Sequence, residues 1–268
     1  FKGLAESMPL EGDEISKVPF AVINADDNYA DRFLGVVPKG VRTFTYGVKK
    51  SADVMAKNIN FSLNGAEFTL VTKDGEYPVN LHMNGMFSVY NVLAAVTASL
   101  AIGIDLSVAL KALENVKVGA GRFEGVVKKP LVIVDYAHTP DGLENVLNSA
   151  REITPKDGKL ICLFGCGGDR DATKRPKMGA IAEKIADKIV ITSDNPRSED
   201  PQTIITDIIA GLKSTNPDKV TVEPDRGHAI ALLKNIAGNN DVVVIAGKGH
   251  EDYQILKDRT IHFDDREE

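Results

Sequence analysis

Cysteine is scarce: only Cys162 and Cys166 occur in the 268 residues. Two thiols cannot build a disulfide framework, and with no second pair and no nearby histidine they do not complete a zinc site. A reducing, cytoplasmic compartment is the expected home. Long apolar runs are also missing. The longest weakly polar stretch, Asn91 to Ile104, contains Thr97 and Ser99 and stops at Asp105, short of the roughly 18 apolar residues that a membrane helix needs. No membrane insertion is expected. Phe1 to Leu10 carry Glu6 and no long apolar core, so they do not read as a secretory signal. There is no dense basic block, and 32 Lys and Arg against 38 Asp and Glu leave a formal charge of -6, which argues against a nucleic-acid partner. Prolines number 12, and 43% hydrophobic with 26% charged residues excludes a disordered or fibrous chain.

What is present has the size of one large or two medium domains, at about 150 residues per domain. The first part predicts strands at Phe20 to Asn24 and Thr43 to Val48. Asn64-Gly65 and Asp74-Gly75 are hairpin dipeptides between apolar runs, and they predict an antiparallel meander. Val89, Leu93, Val96 and Leu100 recur at helical spacing from Met86 to Ile102, and a second short helix is expected from Leu106 to Leu113. Val116 to Gly125 breaks the pattern, so we place a boundary there, with domains over 1–120 and 121–268.

Beyond it the rhythm changes. Strands at Leu131 to Asp135, Leu160 to Phe164, Ile189 to Thr192, Val220 to Val222 and Val242 to Ala246 alternate with helices over 140–152, 173–187, 201–213 and 226–237. That alternation predicts an α/β fold with a doubly wound, mainly parallel, Rossmann-like sheet. Leu256 to Ile261 reads as a closing hairpin.

Ligands of such sheets bind beyond the carboxyl ends of the strands, and the sequence there is polar. The four exits are Asp135 to Asp141, Gly165 to Asp171, Ser193 to Arg197 and Gly247 to Asp252. Each has a plain structural reading. Asp141 could cap a helix, with Thr139-Pro140 at its entry; Asp194-Asn195-Pro196 is a common turn; Gly247-Lys248-Gly249 lacks the ending of a phosphate loop. His82, His228 and His262 read as structural or surface residues. Together, however, Arg170, Arg197 and Lys248 beside Asp135, Asp194 and Glu251 could hold a zwitterion at both charged ends. An amino-acid site is the expectation.

VDYAHTPDGLENVL (134–147), FGCGGDRDATKRPKMG (164–179), SDNPRSEDP (193–201) and AGKGHEDYQ (246–254), in that order, resemble the carboxy-terminal domain of the Mur ligases, in particular of their diaminopimelate-adding members. INADD (23–27), GMFSVYNVLAA (85–95) and GRFE (121–124) resemble the later part of that family's central ATPase domain and its hinge. The resemblance implies a partial ATPase domain followed by the amino-acid-binding domain. It also implies an ATP- and Mg2+-dependent ligase of peptidoglycan precursor synthesis that acts as a monomer. In that family ATP phosphorylates the D-glutamate carboxylate of a UDP-N-acetylmuramoyl dipeptide, and the amine of meso-diaminopimelate attacks the acyl phosphate.

Residue by residue, the resemblance assigns Asn91 to adenine, Arg122 to the nucleotide phosphates, Asp135 to the neighbourhood of the ribose and His138 to the reacting centre. It assigns Arg170, Asp194, Asn195, Pro196, Arg197, Gly247 and Glu251 to the amino-acid pocket. A bidentate Arg197 would grip the distal carboxylate that lysine lacks, while Glu251 and the Asn195 side chain would receive an ammonium. A site left unpaired by the wrong substrate discriminates by about 10⁴ or more. The sequence departs from the family pattern at Ser88, where asparagine is usual, and at Ala120, where proline is common. It contains no GxxxxGK(S/T) phosphate loop, no UDP-sugar domain and no magnesium-binding modified lysine, so the chain is expected to be inactive alone. A lysine-adding ligase and a non-catalytic amino-acid-binding module are the rival readings. A dinucleotide-dependent dehydrogenase is disfavoured, because no strand is followed by GxGxxG.

Overall fold

A computed structural model describes residues 19–62, 65–116 and 119–268. The chain forms two compact units that divide at residues 117 and 118.

In the first unit, β1 (Phe20–Asn24), α1 (Ala30–Gly35) and β2 (Arg42–Gly47) precede the meander β3 (Val54–Ser62), β4 (Gly65–Thr72) and β5 (Gly75–Leu81). The helices α2 (Met86–Ala101) and α3 (Leu106–Leu113) follow. The sheet order is β1-β2-β3-β4-β5; the first three strands are parallel and the last three antiparallel. The expected meander is therefore present, although Asn64 of its first turn lies outside the described residues. Gly65 shows why that turn carries glycine: φ is +132° and a Cβ there would lie 1.8 Å from the Leu81 carbonyl oxygen. Phe68 and Leu70 of β4 pack against Val89, Leu93 and Val96 of α2 in one core, so the helical spacing read from the sequence is the buried stripe.

The second unit contains β6 (Glu124–Lys128), β7 (Leu131–Asp135), α4 (Pro140–Ile153), β8 (Leu160–Phe164), α5 (Lys174–Ile185) and β9 (Lys188–Ile191). It continues through α6 (Pro201–Ile209), β10 (Val220–Val222), α7 (Arg226–Ile236), β11 (Val242–Ala246), β12 (Tyr253–Ile255) and β13 (Thr260–His262). Its sheet order is β10-β9-β8-β11-β7-β6, parallel except for the edge strand β6. The doubly wound prediction holds. Every residue of β8 and β11 is buried, as helices on both faces require.

Three local readings change. Glu124 to Lys128, the first two residues of which fall in the Val116 to Gly125 pattern break, form β6, whose largely exposed side chains and Gly125 hide the strand signal. Helix α6 ends at Ile209 rather than near 213 because Gly211 abuts the Pro176 carbonyl, where a Cβ would lie at 1.8 Å. In the closing hairpin, Leu256 to Arg259 form the turn and the paired residues lie on either side.

Candidate functional site

The insertion of β11 between β8 and β7 gathers the exits of β7, β8, β9 and β11 at one end of the sheet. They enclose a cleft of about 570 Å³ whose wall includes His138, Arg170, Asp194, Asn195, Arg197, Gly247 and Glu251. Lys174, Lys177 and Tyr253 line it too, and no sequence argument had singled them out, because helical lysines and a loop tyrosine look like surface residues.

At the exit of β7, Asp135 is buried and accepts from Phe123 N at 2.7 Å and Ala137 N at 2.8 Å. Burial pushes its carboxyl above the ordinary range, and the two backbone donors and Arg122 oppose the rise. Asp135 is thus a strap between strand and GRFE loop rather than a free acid on the rim, which corrects the sequence reading. The Arg122 guanidinium lies 4.8 Å from the centre of the Tyr136 ring, which is flanked by His138 and His250 at 4.7 and 5.1 Å. Gly121 (φ +63°) makes this packing possible, since a Cβ would lie 2.1 Å from the Gly249 backbone. His138 Nδ1 donates to the Tyr136 carbonyl at 2.9 Å; a carbonyl only accepts, so Nε2 is left as the acceptor of the neutral ring. The capping question is settled for Thr139, whose Oγ1 accepts from Gly142 N at 3.1 Å, with Pro140 in the first helical turn and Asp141 following it.

The exits of β8 and β9 interlock. Gly168 N donates to the Asn195 carbonyl at 2.9 Å and Arg197 Nη1 to the Gly168 carbonyl at 2.8 Å. A Cβ on Gly168 would lie 1.9 Å from the Pro196 oxygen, so the contact demands glycine. Pro196 is buried in this contact and does not line the cleft. Arg197 itself has φ +53°, a left-handed value that residues with a Cβ rarely adopt and that the interlocked loops enforce. Beneath them Arg175, 2% exposed, pairs with Glu199 and Asp207, each at 2.9 Å.

Two expectations fail here. Lys248 is fully buried, not presented on the rim: its Nζ donates to the Tyr253 carbonyl and lies 3.4 Å from both Asn195 Oδ1 and Glu251 Oε2. Asn195 Oδ1 also accepts from Ile255 N at 2.9 Å. With its lone pairs taken, it is not an ammonium acceptor; its Nδ2 holds Glu251 at 2.9 Å instead. Asp194 is the contrasting case. It is buried at the cleft wall, and Oδ1 has no hydrogen-bond partner, the Lys248 ammonium being 3.9 Å away. Burial drives its carboxyl upward while Arg226 and Lys248 pull it down. An unpaired buried carboxylate oxygen is costly, and a ligand ammonium is its natural complement.

Asn91 belongs to the first unit, exposed on α2. Among the described residues, no group of three or more His, Cys, Asp or Glu is placed to hold a metal ion. No helix of the described residues is long and apolar enough to cross a membrane.

Comparison with known proteins agrees with this geometry. Residues 4–99 match the Mur ligase middle domain and residues 121–249 the Mur ligase glutamate ligase domain. The chain is 48% identical over 252 residues to the UDP-N-acetylmuramoyl-L-alanyl-D-glutamate--2,6-diaminopimelate ligases of Clostridium botulinum and of Thermosynechococcus vestitus. Each alignment covers 92% of this chain and 50% of the relative, so the chain spans about half the length of those proteins. A solved structure of a ligase of the same name superposes with a TM-score of 0.65 at 37% identity, over 92% of this chain and 51% of that one. Both units therefore have counterparts in one group of proteins, and the chain belongs to the Mur ligase family.

Proposed function

We propose that the chain is the carboxy-terminal portion of a cytoplasmic ATP-dependent ligase that adds meso-diaminopimelate to UDP-N-acetylmuramoyl-L-alanyl-D-glutamate. It acts as a monomer, without a nucleic-acid partner. The observation that carries the reading is that one cleft is lined both by Asp194, whose Oδ1 accepts no hydrogen bond and has only the distant Lys248 ammonium at 3.9 Å, and by Arg170 and Arg197. Diaminopimelate carries an ammonium and a carboxylate at each end, and such a wall receives one charge of each sign. The similarity to diaminopimelate-adding ligases supports the same choice.

When bound, ATP supplies the phosphoryl group that turns a carboxylate into an acyl phosphate with a good leaving group. This chain's residues bind and orient. Arg197 and Arg170 take the distal carboxylate by charge-assisted bonds. Asp194 receives an ammonium, and Glu251, held by Asn195 and Lys248, adds negative charge beside it. His138 presents Nε2 to the cleft as the proton acceptor nearest the attacking amine. Arg122, exposed on its tyrosine platform, suits a phosphate, and Asn91 suits the adenine; Asp135 keeps the GRFE loop in place.

Calorimetric titration with meso-diaminopimelate and with L-lysine tests the reading. Saturable binding of diaminopimelate, none of lysine, and a weakening of roughly 10- to 100-fold in Arg197→Ala are expected, the worth of a charged hydrogen-bonded contact. Equal binding of both amino acids would favour the lysine-adding alternative, and binding of neither would reject the amino-acid pocket.

A further inference from the structure

Arg226, the first residue of α7, is completely buried, as is Asp265 beyond β13. Its Nε donates to Asp265 Oδ1 and its Nη2 to Oδ2, both at 2.7 Å. The same guanidinium reaches two backbone carbonyls: Nη1 donates to Ser193 at 3.3 Å and Nη2 to Ala246 at 3.1 Å. These residues immediately precede Asp194 and Gly247 of the cleft wall.

Ala246 ends β11 and Ser193 lies two residues past the end of β9, and these strands are not neighbours, because β8 lies between them. No ladder hydrogen bond therefore spaces their exits directly, and Arg226 spans the gap. At the exits themselves the fit is close: a Cβ on Gly247 would lie 3.3 Å from Asp194 Oδ2. Asp265 adds a second constraint, since it closes the segment that carries β12 and β13. That segment is stitched to the β9 exit by Gln254 Nε2 to the Asp194 carbonyl at 2.7 Å, Ile255 N to Asn195 Oδ1 at 2.9 Å, and Arg197 N to the Ile255 carbonyl at 3.1 Å. The same pair thus latches the closing hairpin and sets two walls of the cleft.

We infer that Arg226 and Asp265 are a positioning pair: by bridging the Ser193 and Ala246 carbonyls they set the placement of Asp194 against Gly247, and with it the affinity of the cleft for an amino acid. The inference rests on the reading of that cleft as an amino-acid pocket. A buried ion pair is weak evidence for stability in itself; here the donors left over after the carboxylate is satisfied are spent on the two strand exits.

Arg226→Lys keeps the charge but cannot span four acceptors, and Asp265→Asn keeps the shape but loses the charge. Arg151→Lys, in the half-exposed Arg151–Asp187 pair at 2.9 Å, is the control. Each chain is titrated with meso-diaminopimelate well below its unfolding temperature, and amide hydrogen exchange is followed by segment. In both positioning variants Kd should rise about 10-fold at unchanged stoichiometry, with the control unaffected. Residues 193–197 and 247–255 should exchange about 10-fold faster while β7 and β8 keep their protection. A merely structural role would instead lower the stoichiometry at unchanged Kd, or speed exchange across the whole sheet, and either result overturns the inference. If Arg226→Lys does not fold, Asp265→Asn carries the same expectations. Should the unmodified chain bind no diaminopimelate while the two exits still loosen in the variants, the ligand reading fails and the positioning of the exits stands.

Discussion

Strands of the first unit alternate between covered and open positions, as in β5, whereas β8 and β11 of the second are buried at every residue. The first sheet has α2 and α3 against one face of its meander and can carry polar side chains on the other. The second has no open face over its central strands. Polar groups there collect at the strand ends, and that is where Asp135, Asp194 and Lys248 are found. One architecture spreads its chemistry over a surface; the other concentrates it on a rim.

The sharpest way to break this comparison is to set an alanine substitution on a fully covered strand of the second unit against one on the open face of the first. Leu163→Ala in β8 removes a side chain that is 0% exposed and should cost roughly 2–5 kcal/mol. Glu67→Ala, exposed in β4, should stay within about 0.5 kcal/mol. Denaturant unfolding of both variants measures the difference, and comparable losses would mean that the two sheets are covered alike.

Charge sharpens the contrast next. Burial raises the Asp194 carboxyl in the second unit, so its ionised form, which an ammonium needs, is lost on acidification at a pH above the ordinary carboxylate value of about 3.9. Diaminopimelate affinity should therefore fall on acidification before ordinary carboxylates are protonated, and Asp194→Asn should flatten that profile. Asp26 of the first unit behaves oppositely. Burial opposes its ionisation, but the backbone N–H groups of Val48, Lys49 and Lys50 and the Tyr90 hydroxyl prevail and hold its carboxyl down to about 2. A depressed folded-state value stabilises above the unfolded value of about 3.9, and this contribution is lost as pH falls through about 2. Hydrogen exchange of residues 45–50 should accelerate over that window, and Asp26→Asn should exchange fast already at neutral pH.

The smallest expected effect concerns helix entry. Thr139, Asp200 and Asp225 cap α4, α6 and α7 with their side chains, whereas among the described residues of the first unit α1, α2 and α3 have no side-chain cap. Thr139→Ala should cost about 1 kcal/mol, read as a shifted denaturation midpoint at constant slope.

Periodicity, turn dipeptides and buried strand runs were sufficient to locate nearly every element, because each is a local property of a few consecutive residues. Strand β6 escaped since an edge strand with glycine has neither alternation nor a continuous apolar run. The rim was legible because polar residues clustered after four predicted strands. Whether a rim residue is free or occupied was not. Lys248 and Asp135 looked like ligand-facing charges, yet both are spent on protein partners. Arg175 and Arg226, which no local pattern marks out, are buried beneath the site.

By itself, then, the sequence determined the α/β class, the strand-helix alternation and the set of loops that meet at the cleft, since hydrophobic spacing and strand exits are written in order along the chain. Only the tertiary structure decided which of those polar groups are bonded to protein partners and which are not. Hydrogen-bond satisfaction depends on residues far apart in sequence: Asp194 Oδ1 is unpaired because Lys248, some fifty positions away, is 3.9 Å off and already held by its own neighbours.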